Sequence, residues 1–249
     1  MLHTLGAASL GTGFIFLMTA LGAAVAFFLP ERAHPGFPNA MLGFAAGVMT
    51  AASVWSLLIP AMERTPPPLP AYLPAAVGMI AGALFLQLLG IVLARAPQTA
   101  DGALRENALL MLAVTLHNVP EGMAVGLAFA LASVGEGLAA AWALALGIGI
   151  QNFPEGAAVA LPLRRSGASR LRAFALGTLS GAVEPLFGLL AALAVSAAEA
   201  LMPWLLSFAA GAMLCVTAEE LLPQARSHAG TAGFLAGFLV MMVLDVALS

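Results

Sequence analysis

A six-residue polar pattern occurs twice in this sequence, as His117-Asn118-Val119-Pro120-Glu121-Gly122 and, 34 residues later, as Gln151-Asn152-Phe153-Pro154-Glu155-Gly156. His117 and Glu121 stand four apart and Asn118 and Glu121 three apart, and Gln151 and Asn152 keep the same spacings to Glu155. Residues three and four apart share one face of a helix, so each copy gathers its oxygen and nitrogen donors on one side and can grip one ion. Glu184-Pro185 adds a third carboxylate beside a helix-bending proline, and Met49 adds a soft thioether. Imidazole, amide oxygen, carboxylate and thioether together suit a divalent transition metal such as zinc or cadmium. They match neither an all-oxygen magnesium site nor a structural zinc site built from four cysteines.

These residues are embedded in a very apolar chain. Of 249 residues 61% are apolar and 8% charged, with a mean hydropathy of +1.00, whereas soluble domains carry about 25% charged residues. The composition describes an all-α integral membrane protein with no separate soluble domain, a single unit over 1–249. Eight apolar spans are expected: Leu5 to Leu29, Ala40 to Met62, Ala71 to Ala94, Ala108 to Ser133, Gly137 to Leu163, Leu171 to Ala198, Met202 to Leu222 and Ala229 to Leu248. The first is too long for a signal-peptide core and has no basic residue before it, so it reads as a retained helix. Thr65 to Pro70 (TPPPLP) can hold an extended polyproline form and cannot continue a helix.

Arginine placement tests the count. Arg32, Arg95, Arg105, Arg164, Arg165, Arg170, Arg172 and Arg226 fall in the loops after spans 1, 3, 5 and 7, and only Arg64 falls on the other side. By the positive-inside rule those loops are cytoplasmic and both termini face outward. The nine basic residues, all Arg, are outnumbered by twelve acidic ones, which excludes a polybasic nucleic-acid surface. The lone Cys215 allows no internal disulfide and reads as a packing residue. Glycine pairs at 43/47, 78/82, 122/126, 177/181 and 233/237 indicate close helix packing; they are compatible with a homodimer without fixing one.

Placed at membrane depth, the twin motif carries a heavy cost. A charged side chain at a helix centre costs roughly 2.5 to 3.5 kcal/mol on insertion scales and marks a functional site by default. Pro120 and Pro154 deprive the carbonyls of Leu116 and Ile150 of their helical N–H partners, so both helices are expected to kink and free a carbonyl there. A buried His taken alone is more often a packing residue. Four positions from Glu121, with a second copy of the motif in the next span, His117 reads instead as a ligand. Glu219 and Glu220, near the cytoplasmic end of span 7, read as interfacial charges that with His228 could receive an exiting ion. Glu63 and Asp245 end spans 2 and 8 on the outer side, where they could attract cations or simply be solvated.

The pair HNVPEG and QNFPEG, with Glu184 in the following span and eight spans with both termini outside, resembles the ZIP (Zrt/Irt-like) metal transporters. MLGFAAGVMTAASVWSLLIPAME in span 2 resembles the GufA-like bacterial branch. The resemblance implies inverted three-helix groups around spans 4 and 5, and movement of divalent cations toward the cytoplasm through a bacterial inner membrane, with zinc foremost and cadmium, iron or manganese as alternatives. It implies metal as cargo and no catalytic cofactor. It further implies two metal positions sharing carboxylates: Met49, His117, Glu121, Gln151 and Glu155 at the first, and Asn118, Glu121, Asn152, Glu155 and Glu184 at the second. Met49, one of twelve Met, is singled out by the resemblance. Many members have a His-rich loop between spans 3 and 4; Arg95 to Arg105 here contains no His. Some members also have His in place of Gln151 or Asp in place of Asn152, so the neutral amides here lower the site's negative charge.

Three competing functions were weighed. A proton-coupled carrier of an organic solute would use the carboxylates but leave His, Asn and Gln without a reason. An intramembrane metalloprotease would need an H-E-x-x-H helix, which is absent. A channel-like or structural membrane protein is the remaining reading.

Overall fold

The structure, a computed structural model, describes residues 2–28, 36–94, 102–132 and 137–248. The expected span ends Leu29 and Ser133, the loop residues Arg32 and Arg95, and the segment 95–101 of the loop without His lie outside the described residues. Among the described residues all regular structure is helical. Helix α1 runs Leu2–Ala24 and closes with a 3-10 turn, Val25–Phe27; α2 comprises Gly36–Ala52, a π-turn Ser53–Leu58, and Ile59–Glu63. Helices α3 (Tyr72–Ala94), α4 (Gly102–Ala132) and α5 (Leu138–Arg165) follow. Then come α6 (Arg170–Gly181 and Val183–Ala197), α7 (Met202–Val216, a π-turn Thr217–Leu221, and Leu222–Gln224) and α8 (His228–Leu248).

Six of these helices, α1, α2, α3, α6, α7 and α8, are long and apolar enough to cross a membrane. Helices α4 and α5 are not among them, although at 31 and 28 residues they exceed the roughly 20 that a bilayer requires; they carry the polar hexapeptides. The middle of α4 is also enclosed, while α5 keeps Leu146, Ile150 and Phe153 exposed. Residues 116–127 of α4 are buried without exception, whereas only 17% of the apolar windows of α3 and α8 is buried. Around α4 stand α1, α5, α6 and α7; around α5 stand α1, α2, α6 and α8.

Glycine is what brings these helices together. Lipid offers no hydrophobic drive for helix association, so close backbone approach has to supply contact energy. A Cβ at Gly237 of α8 would lie 2.1 Å from the Phe44 carbonyl oxygen of α2, and a Cβ at Gly82 of α3 would lie 1.9 Å from that of Phe208 in α7. The two contacts match, and so do the sequences that receive them: Phe44-Ala45-Ala46-Gly47-Val48-Met49 and Phe208-Ala209-Ala210-Gly211-Ala212-Met213. The same holds for the inner pair, where Gly122 of α4 meets the Glu184 carbonyl of α6 and Gly156 of α5 meets the Thr19 carbonyl of α1. All ten glycines of the five sequence pairs face a neighbouring segment of this same chain.

Helical conformation runs continuously through Pro120 and Pro154, which have no N–H to give the carbonyls of Leu116 and Ile150; the breaks in regular α-helix lie around that pair, in α2, α6 and α7. In α2 and α7 the π-turns accommodate Pro60 and Pro223. A proline ring collides with the carbonyl four residues before it, here Ser56 and Glu219, and both sit inside a π-turn whose wider winding moves that carbonyl aside. The Thr65 to Pro70 segment breaks the chain as expected, but by turns rather than a regular extended run, with Leu69 N–H donating to the Pro66 carbonyl at 3.2 Å.

Gly237→Val should therefore lower stability by about 1–3 kcal/mol, the usual cost of overpacking. Thermal unfolding in detergent should show a drop of several degrees, at about 2–4 °C per kcal/mol for a chain of this size. Gly13→Ala, where nothing lies within 4 Å, should leave the midpoint unchanged.

Candidate metal centre

Seven of the eight singled-out side chains come from α4, α5 and α6, and the eighth, Met49, from α2. All eight are buried, from 0% exposure for Met49, Glu121 and Glu184 to 5% for Glu155. The hexapeptides meet across the α4–α5 interface, where the Gln151 side-chain amide donates to Glu121 Oε1. Asn118 Nδ2 donates to the Ser180 carbonyl at 2.9 Å, which ties α4 to the first half of α6. Glu184 lies in the first turn of the second half of α6, just after the break at Ala182, where the positive end of the helix dipole favours a carboxylate. The Thr19 hydroxyl of α1 donates to Glu184 Oε1 at 2.9 Å.

Each of these anchored groups is held through one atom while another is left facing inward. Asn118 Oδ1, Glu121 Oε2, Gln151 Oε1 and Glu184 Oε2 are buried without a hydrogen-bond partner, as are Asn152 Oδ1 and both oxygens of Glu155. A buried polar atom left unpaired costs about 1–3 kcal/mol, and more when charged. Seven such oxygens lie on three adjacent helices. Among the described residues no group of three or more His, Cys, Asp or Glu side chains is placed to hold a metal ion; the amide oxygens of Asn118, Gln151 and Asn152 lie among the same buried, unpartnered oxygens. Met49 sits in the core with its sulfur 3.9 Å from the Thr217 hydroxyl of α7.

The structure separates two acids that the sequence reading grouped together. Glu219 is exposed and accepts from the Gln87 amide of α3. Glu220 is half-buried, and its Oε2 lies 4.0 Å from His117 Nδ1. A cavity of about 450 Å³ is lined by Leu86, Gln87 and Gly90 of α3, Leu116 of α4, and Cys215, Glu219 and Glu220 of α7. Glu220 is thus both a wall of the cavity and the neighbour of His117. The other flanking residues divide similarly: Glu63 and His228 are exposed, whereas Asp245 is 5% exposed and accepts from the Ser56 hydroxyl at 2.7 Å.

The family model described as ZIP Zinc transporter matches residues 90–245, which include both hexapeptides and Glu184. This chain belongs to the ZIP family. It is 36% identical to zinc transporter ZIP11 of Homo sapiens, over 97% of each chain. It is 39% identical to zinc transporter GufA of Myxococcus xanthus, over 83% of this chain and 85% of that one. It is also 38% identical to zinc transporter ZIPB of Bordetella bronchiseptica, over 98% of this chain and 82% of that one. Membership puts it among membrane transporters and not among enzymes.

A carboxylate must be deprotonated to ligate a cation, so zinc affinity of the purified protein should rise from pH 5 to pH 7.5. Titration calorimetry at both pH values checks this; a flat affinity across that interval would contradict carboxylate ligation.

Proposed function

We propose that this chain carries divalent transition-metal cations, zinc foremost, across a bacterial cell membrane toward the cytoplasm, by alternating access through a binuclear site. The observation that carries the reading is the set of seven buried, unpartnered oxygens on α4, α5 and α6, which an arriving cation would satisfy at once. The first position takes Met49, His117, Glu121, Gln151 and Glu155; the second takes Asn118, Glu121, Asn152, Glu155 and Glu184. Glu121 and Glu155 serve both because positions three and four before each lie on its own helix face. The zinc transporter names of the relatives and the soft component in the donor set favour zinc, and the same donors accept cadmium, iron or manganese.

In the same reading α4 and α5 also cross the membrane, giving eight spans with both termini outside. The arginine distribution supports this, and so do the lengths of α4 and α5, 31 and 28 residues, and the exposed apolar side chains Leu146, Ile150 and Phe153 of α5. The matched glycine contacts of α2–α8 with α7–α3, and of α5–α1 with α4–α6, support two inverted three-helix halves around the central pair. The cavity beside His117 lies toward the C-terminal ends of α3 and α7, on the arginine-rich side, and forms the cytoplasmic exit past Glu220. The opposite approach is closed by the Ser56–Asp245 hydrogen bond. The bacterial relatives GufA and ZIPB support placement in a cell membrane.

Zinc uptake into proteoliposomes, read with an enclosed zinc-sensitive dye, tests the proposal: the wild type should fill the vesicles and Glu121→Gln should fall to the rate of protein-free liposomes. Equal rates for the two would sink it. Alternating access is tested separately. With Cys215 replaced, a cysteine at position 63 should change its reactivity toward a membrane-impermeant thiol reagent when zinc is added; unchanged labelling there and at neighbouring outer positions would indicate a static pore.

A further inference from the structure

Threonines in apolar helices usually satisfy their hydroxyl on the carbonyl four residues back. Thr12, Thr50 and Thr115 do so here, each at 2.7 Å. Thr19 departs from that default: its hydroxyl stands 3.3 Å from the Ile15 carbonyl but 2.9 Å from Glu184 Oε1. A hydroxyl has one proton to give, and the shorter contact is the one to the Glu184 carboxyl oxygen. The diversion occurs where neither group can reach water, since Thr19 and Glu184 are both 0% exposed.

Two glycines shape the meeting place. A Cβ at Gly156 would lie 2.0 Å from the Thr19 carbonyl oxygen, so α1 seats Thr19 directly against the residue that follows Glu155. A Cβ at Gly181, at the break in α6, would lie 2.9 Å from Thr19 Cγ2 and 3.0 Å from Glu184 Oε1. The contact therefore sits in a notch that any side chain at either position would close. Because Gly122 meets the Glu184 carbonyl where Gly156 meets that of Thr19, Thr19 occupies in one half the place that Glu184 occupies in the other. One such place supplies a ligand, and its counterpart supplies the proton donor that aims it.

We infer that Thr19 is a positioning residue of the metal centre: its hydroxyl fixes Oε1 of Glu184 so that Oε2, buried and without partner, is presented to the second cation position. This rests on the reading of Glu184 as a ligand of that position. Thr19→Ser should keep the effect, and Thr19→Val, nearly isosteric, should remove it.

The test counts cadmium ions per chain by native mass spectrometry and measures stepwise affinities for the wild type, Thr19→Ser, Thr19→Val, Glu184→Gln and the Thr19→Val/Glu184→Gln pair. The wild type and the serine variant should bind two ions. The valine variant should keep the first with unchanged affinity and bind the second about ten-fold or more weakly, the loss expected for a hydrogen bond to a charged group. In the Glu184→Gln background the valine change should add no further loss. A valine variant that binds the second ion as the wild type does, or one that costs as much again without Glu184, overturns the positioning role. A wild type that binds one ion, unaltered by Glu184→Gln, overturns the two-position reading beneath it. Should the valine variant fail to fold, Thr19→Ala removes the same hydroxyl without adding a contact and is judged by the same outcomes.

Discussion

The constraint on which this molecule depends is the cost of leaving polar oxygens in a dry interior with nothing positive to face. Asn118, Glu121, Gln151 and Glu184 are each tethered through one atom, to the Ser180 carbonyl, to each other in the case of Glu121 and Gln151, and to Thr19. Tethering removes side-chain freedom before any ion arrives, so binding has less entropy to overcome. The untethered atoms are destabilising as they stand, and in the proposed function a divalent cation would relieve many of them together. Neutral Asn152 and Gln151 among the donors keep the net negative charge of the site down to what Glu121, Glu155 and Glu184 supply.

Everything around the site serves to hold that arrangement. The polar hexapeptide side chains of α4 and α5 are buried, and apolar helices pack against both, while α5 keeps Leu146, Ile150 and Phe153 exposed. Packing at backbone contact requires glycine, and Gly122 and Gly156 directly follow Glu121 and Glu155. Each allows α6 or α1 to approach closely enough to deliver Glu184 or Thr19. The outer pairs, α2 with α8 and α3 with α7, repeat the device with Gly47, Gly82, Gly211 and Gly237. The proline-linked π-turns lie on α2 and α7. Ser56 lies in the first turn and donates to Asp245; Glu219 and Glu220 lie in the second and line the cavity.

Much of this was legible in the sequence, because the twin hexapeptide violates the composition of its surroundings and its spacing puts the donors on shared faces. Six of the spans were readable from apolar length, and Pro185 beside Glu184 signalled a bend where α6 breaks at Ala182. Three features were not legible, each for a physical reason. The π-turns of α2 and α7 were not foreseen, because a proline alone does not say whether the helix before it widens, kinks or ends. The different surroundings of Glu219 and Glu220, and the burial of Asp245, were not foreseen either, since linear position near a terminus says nothing about which way a π-turn or a neighbouring helix turns the side chain. Thr19 gave no signal at all: a lone threonine in an apolar run is ordinary until a carboxylate from a helix 165 residues away meets its hydroxyl. The repeat of FAAGVM as FAAGAM was present in the text of the chain and could have paired α2 with α7 in advance.

The most direct measurement is an anomalous-scattering map of cadmium-loaded crystals of the full chain. The account predicts density for two ions between α4 and α5, one within bonding distance of His117, Glu121 and Glu155, the other of Asn118, Asn152 and Glu184. Cadmium found only at Glu219 and Glu220 in the cavity, with the oxygens of Glu121, Glu155 and Glu184 left unoccupied, would contradict it.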